Sequence, residues 1–189
     1  MEFLPILIDG NKVYAGFWKR FWAAIADIAV WYPFAFIVYN LQSINIPAAM
    51  VASVIGLFFF SAYSIFLNLK YGGTLGKLAV GIRVTKPDGT KIGIREALLR
   101  SSVDIICATL YSGFHIYAIT RVDPEAYLSA GFTERGIIVY SLYPNFSKYT
   151  NAISDVWYWS ELIVLLLNKR KRALHDYIAG TVVINKEYA

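Results

Sequence analysis

Two long apolar runs limit what this chain can become. Phe17 to Asn40 and Pro47 to Leu69 each exceed the ~20 residues with which an α-helix crosses a ~30 Å hydrocarbon layer. The second run holds no charged side chain, and the first only Lys19, Arg20 and Asp27. A third run, Ile94 to Thr120, carries Arg95, Glu96, Arg100 and Asp104 in its early turns, where long side chains can reach the headgroups, and is apolar beyond them. A fourth, Thr150 to Asn168, is shorter; Thr150 or Asn151 supplies an N-cap, and Asp155 sits near the positive end of the helix dipole. The expectation is an α-helical integral membrane protein with four transmembrane helices. Composition points the same way: 57% hydrophobic and 16% charged residues leave too little polar surface to coat a soluble globule of 189 residues. The short run Phe3 to Ile8, bracketed by Glu2 and Asp9 without a basic flank, does not read as a signal peptide.

Basic residues orient the spans. Fifteen of the 18 Lys and Arg precede span one, lie between or at the ends of spans two and three, or follow span four; the other three are Arg121, Arg135 and Lys148. By the positive-inside rule both termini and the central loop are cytoplasmic, in a multi-pass protein of the cell membrane. The same partition explains the net charge of +5 as a membrane-surface stripe facing the lipid bilayer, so no nucleic-acid partner is expected. One Cys and two His leave no intramolecular disulfide and no Cys-based zinc site, and neither a metal nor a cofactor is expected.

The central loop, about 78–94, contains two β-prone runs joined by Lys86-Pro87-Asp88-Gly89, where Pro presets φ and Gly can take the positive φ that closes a hairpin. Val182 to Ile184, in the C-terminal segment 169–189, has the same character. Three strands are about the minimum for a stable small sheet, so a cytoplasmic β-sheet of Ile82–Val84, Lys91–Gly93 and Val182–Ile184 is predicted. Gly72 to Lys77 resembles a phosphate-binding loop only superficially, because Tyr71 and Leu78 stand where that motif needs Gly and Ser or Thr. In the outer loop, about 121–149, Asp123-Pro124-Glu125 starts a helix that Gly131 can end. Beyond it, Phe132 to Tyr149 reads as an aromatic-rich patch with a turn at Phe132-Thr133-Glu134-Arg135-Gly136.

Three separated blocks then fall into a known order. Tyr14-Ala15-Gly16-Phe17-Trp18-Lys19-Arg20 leads to Asp27; Gly73-Thr74-Leu75-Gly76-Lys77 precedes Gly81-Ile82-Arg83-Val84; and Arg172-Ala173-Leu174-His175-Asp176 precedes Gly180-Thr181-Val182-Val183. This pattern resembles the RDD family of membrane proteins, named for one arginine and two aspartates that map onto Arg20, Asp27 and Asp176. The resemblance implies a single RDD-like domain over the whole chain. For some members it implies ion transport, with sodium/proton exchange among the activities proposed. The outer loop is longer than the connection the family usually has.

The residues themselves keep two functions open. Asp27 lies about ten residues into span one, where a carboxylate costs at least ~2.5–3.5 kcal/mol unless it is neutral, paired or wet. Arg20 is seven residues earlier on that helix, but its side chain leans away from Asp27, so Arg20 is assigned instead to Asp176. Glu161, in the middle of span four, is the expected partner or second carboxylate of Asp27, and two acids in one dry site cannot both ionise. Arg100 and Asp104, spaced i, i+4, read as a local ion pair. Ser61, Ser64 and Asn68 form a polar stripe of interhelical hydrogen bonds, His115 an interfacial hydrogen-bonding residue, and Cys107 an apolar filler. With no triad, metal cluster or cofactor motif, catalysis is not expected. One reading is a transporter of protons or monovalent cations through Asp27 and Glu161, which with four helices calls for a homo-oligomer. The alternative is a non-catalytic membrane subunit or scaffold that meets partner proteins through its outer loop and cytoplasmic sheet.

Overall fold

The computed structural model describes residues 3–189, with nothing said of the Phe60 side chain. The elements in chain order are β1 (Leu7–Ile8), β2 (Asn11–Lys12), α1 (Phe17–Gln42), α2 (Ile46–Tyr71), α3 (Leu75–Ala79), β3 (Ile82–Thr85), α4 (Ile94–Ile119), α5 (Pro124–Ser129), α6 (Phe132–Ser141), α7 (Ser147–Leu167), α8 (Leu174–Ala179) and β4 (Val182–Asn185), followed by a short 3₁₀ turn. Glu2, one bracket of the N-terminal run, lies outside the described residues.

Among the described residues three stretches are long and apolar enough to cross a membrane: Phe17–Gln42, Ile46–Ala79 and Ile94–Ile119. Ala23 is the only buried residue of α1, while Trp18, Trp22, Tyr32 and Phe36 are all more than half exposed. A helix apolar all round and nearly unburied by its own chain is one that lipid must cover. The fourth expected span is a helix too, α7, but with Lys148, Asp155 and Glu161 in its 21 residues it is not among those three. It begins before Thr150, directly after Pro144-Asn145-Phe146.

The structure comprises two compact units. The first takes in residues up to Trp31, Ser61–Val103 and Val156–Ala189. At its centre β3 pairs antiparallel with β4, Ile82 opposite Asn185 and Thr85 opposite Val182. All four residues of β4 are buried. Ile82, Val84 and Val183 pack with Ala15, Ala23 and Ala97 in one apolar cluster, and Val182 and Ile184 with Val13 and Tyr14 in another.

The expected third strand is different. Thr85 and Lys91 form a single bridge, and the turn between them closes as expected, with Gly89 at φ 87° donating its N–H to the Lys86 carbonyl. Pairing stops there because the Gly93 N–H is drawn 2.7 Å to the Glu96 side chain, which caps α4 and turns the chain out of the sheet. The far edge of β4 is filled by Val13–Ala15 instead: Ala15 N–H donates to Val183 and Asn185 N–H to Val13, each at 2.9 Å. A two-residue hairpin at the N-terminus, β1 with β2, turns through Asp9 and Gly10, both at positive φ.

The second unit holds Tyr32–Phe60 and Asp104–Asp155. Its core gathers Ala49, Ala118, Ile119, Val122, Tyr127 and Val139. Asp123 caps α5 by accepting the Ala126 N–H at 2.8 Å, with Pro124 in the first turn. Gly131 is not the end of that helix but the N-cap of α6, and Phe132 to Gly136, read above as a turn, is its first half. The apolar spacing of Ile138, Val139 and Leu142 against the core of this unit outweighs the turn character of Thr-Glu-Arg-Gly. Cys107 is buried and accepts a long contact from the Ser154 hydroxyl.

Because Ile82 is fully buried in the sheet cluster, Ile82→Ala should cost about 2–5 kcal/mol, read as a lowered thermal midpoint in detergent. An unchanged midpoint would mean that the sheet is not part of the cooperative core.

Candidate functional site: a buried charge centre and a caged aspartate

Both constellations lie within the first unit. In the first, Asp176 on α8 is fully buried, and its carboxylate is filled from four directions. Arg20 Nη1 donates to Oδ2 at 2.9 Å, and the Ala173 N–H to the same oxygen at 3.0 Å. Arg100 Nη1 and the Thr181 hydroxyl donate to Oδ1. Burial alone would raise this carboxyl, but the guanidiniums of Arg100 and Arg20 outweigh it and hold it well below the usual carboxylate range. Arg20 also reaches the Lys171 carbonyl, and Arg172 donates to the carbonyls of Thr181 and Asp176. One acid thus joins α1, α4 and the chain entering β4.

Arg100 therefore spends its charge on Asp176, with Nη1 also 2.9 Å from Thr181 Oγ1, rather than on the i, i+4 partner Asp104 expected above. Its Nη2 lies 2.7 Å from His175 Nε2. A guanidinium can only donate, so Nε2 must accept, and the ring proton is assigned to Nδ1, which faces Glu161 Oε2 at 2.5 Å. Glu161 also takes the His175 backbone N–H at 2.7 Å. Burial, and after it the charge of Arg100, holds His175 below its ordinary pKa.

The second constellation surrounds Asp27. Tyr63 of α2 donates its hydroxyl to Oδ1 at 2.8 Å, the Gly76 N–H reaches the same oxygen at 2.8 Å, and Thr74 donates to Oδ2 at 2.5 Å. The glycine-rich segment that resembles a phosphate loop thus offers its donors to a carboxylate of the same chain. Gly76 is needed for this approach: a methyl there would overlap the Ala23 carbonyl and come within 2.8 Å of Asp27. Among the described residues no hydrogen bond or ion pair joins Arg20 to Asp27, because Arg20 is turned to Asp176. Asp27 and Glu161, expected to form one site, share no hydrogen-bond partner among the described residues. Of the polar stripe, Ser64 meets Ser101 at 3.4 Å, and Asn68 turns back to the Ser64 carbonyl.

The RDD family model matches residues 14–180, which include every residue of both constellations except Thr181. The chain belongs to the RDD family. The arginine and two aspartates of the name divide here between two donor sets, Arg20 with Asp176 and Asp27 apart from them. The chain is also similar to a Bacillus subtilis (strain 168) protein described as "Uncharacterized protein YckC", 30% identical over 171 residues that cover 89% of this chain and 83% of that protein. No solved structure matches.

Sequence reasoning missed Tyr63, Thr74 and Gly76 as partners of Asp27, and Thr181 and His175 as partners of Arg100. The adjacency of His175 to Asp176 was a visible signal; the remaining partners lie far along the chain from the residues they serve.

Asp176→Asn leaves two guanidiniums without their counter-charge and should cost about 3–5 kcal/mol of stability. Reversing Arg20 and Asp176 together should fail to rescue the fold, since an arginine at 176 would face Arg100; full rescue in a thermal-shift assay would refute the shared centre.

His175 predicts a pH dependence. Its folded pKa is lowered, so below the unfolded value of about 6.5 the unfolded chain takes up a proton that the folded chain resists. The stability contributed is complete above about pH 6.5 and declines as pH falls toward the folded value. The thermal midpoint should drop over that range, and His175→Gln should flatten the profile; a slope unchanged in the variant would count against this assignment.

Proposed function

We propose that this RDD-family chain is a non-catalytic, four-span scaffold of the cell membrane. Its polar residues lock the helices to a cap formed by the central loop and the C-terminal strand. The observation that carries this reading is the filling of Asp27, Glu161 and Asp176 by donors of their own chain. An acid with its acceptor sites occupied by such donors is a packing device more readily than an ion carrier.

The sheet supports the topology. Val13–Ala15, β3 and β4 belong to one hydrogen-bonded array, so these three segments lie on one side of the bilayer. That arrangement supports an even number of crossings between each and the next, α1 with α2 and then α4 with α7. At 1.5 Å per residue the 21 residues of α7 extend about 31 Å, enough for the return. The charge partition supports the cytoplasm as that side. In a Cys107→Ala background, Cys at exposed Asp88 should be labelled only from inside and Cys at exposed Glu134 only from outside; labelling of both from one side would overturn the topology.

One observation favours the transport reading. Two of the groups on Asp27 are the hydroxyls of Tyr63 and Thr74, whose oxygens could ligate a monovalent cation if their protons turned away. Proteoliposomes separate the two readings. A scaffold gives no cation-dependent proton flux, and Asp27→Asn lowers the thermal midpoint. A carrier gives flux that Asp27→Asn abolishes while the protein stays assembled, and that result would replace the scaffold reading. Partner proteins or a second copy would engage the cap and the outer loop.

A further inference from the structure

The second unit contains a buried cation, Arg135, with no counter-charge beside it among the described residues. Arg135 of α6 is only 6% exposed. Its Nε donates to the Tyr127 carbonyl at 3.1 Å, Nη1 to the Ser43 hydroxyl at 2.7 Å and Nη2 to the Ala130 carbonyl at 3.2 Å. Its guanidinium carbon lies 4.8 Å from the ring centroids of both Tyr39 and Tyr127. No carboxylate among the described residues comes within 4.0 Å of it. Carbonyl dipoles and ring faces stabilise a guanidinium, and these contacts cap the C-terminal end of α5, but they supply no net negative charge. Three of the five N–H donors of an arginine are used, which leaves two.

Arg135 also lines a cleft of about 570 Å³. Its other walls are mostly apolar, with Phe132, Ile137 and Val139, and polar groups come from Gln42, Thr133 and Tyr140. The volume falls within the ~300–1,000 Å³ of small-molecule sites, and the lining has their usual form, apolar walls with a few placed polar groups. His115 lines the cleft as well, and its buried Nε2 has no hydrogen-bond partner among the described residues.

We propose that this cleft binds an acidic amphiphile, its phosphate or carboxylate head against Arg135 and its hydrocarbon along Phe132, Ile137 and Val139. A buried cation favours an anion; the apolar wall favours one that brings a chain over a small, fully hydrated ion. A membrane protein meets such molecules in two forms, acidic phospholipid and free fatty acid, and the chemistry of the head is shared.

The test uses the full-length protein, wild type against Arg135→Gln and Gly136→Leu. The second variant leaves the hydrogen bonds of Arg135 untouched. A Cβ at Gly136 meets nothing within 4 Å, so leucine there fills the cleft while improving the helix propensity of α6. Laurate is titrated into the micellar protein against dodecanol, and nanodiscs of phosphatidylglycerol are compared with nanodiscs of phosphatidylcholine, by thermal shift and native mass spectrometry. Wild type should be stabilised by the acidic member of at least one pair and not by the neutral one. Both variants should bind about 10–100-fold more weakly. A response to phosphatidylglycerol alone makes the occupant a membrane lipid, and a response to laurate alone a free acid. Equal responses to acidic and neutral probes, no response to either acid, or a Gly136→Leu variant that binds like wild type would overturn the proposal. If Arg135→Gln fails to fold, Gly136→Leu carries the test alone.

Discussion

One carboxylate between two guanidiniums, with water excluded, is the interaction on which the first unit depends. Removing such charges from water is expensive, and their attraction repays the cost only when every remaining polar atom has a partner. Asp176 meets that condition through Ala173 and Thr181, and Arg100 through Thr181 and His175. The consequence is specificity more than net stability. A slip of β4 against β3 by one residue would carry Thr181 away from Asp176 and exchange the residues the strand gives to its two apolar clusters, so the charges and the sheet select the same register.

Asp27 works under the same constraint with neutral donors. Two hydroxyls and one backbone N–H hold it, drawn from α2 and from the segment that enters α3. The close approach of Gly76 to the α1 backbone makes this possible, and it gives the glycine-rich segment a purpose unrelated to phosphate. Polar groups placed on facing backbones thus satisfy the acceptors of Asp27.

The sequence made much of the fold legible. The apolar runs located α1, α2 and α4 to within about two residues, because length and hydrophobicity are local properties. Asp123 and Pro124 announced α5, and Gly89 the turn after β3, through rules of cap and turn chemistry that are equally local. The edge strand Val13–Ala15 escaped because pairing partners are chosen by the whole fold, and the small hairpin through Asp9 and Gly10 before it went unread as well. The site was legible by residue and less so by partner. Arg20, Asp27, Glu161 and Arg100 stand out as polar groups at the ends or middles of apolar runs, and the family resemblance pointed to Asp176, yet helical spacing offered Asp104 to Arg100 where the fold supplies Asp176. Spacing along a helix names only neighbours on that helix, and the partner came from a segment 76 residues away.

The contact between Arg20 and Asp176 spans 156 residues, and Asp176 lies on the last helix before the final strand. Synthesis runs from the N-terminus, so both arginines leave the ribosome well ahead of the acid that neutralises them. For that interval their charges must be borne by water or, in the proposed topology, by headgroups, which would hold the ends of α1 and α4 at the membrane surface. The arrival of the C-terminal segment exchanges that outside partner for an internal one. In the proposed topology the same two arginines would serve first as anchors at the membrane surface and then as the fastening that records the completion of the fold.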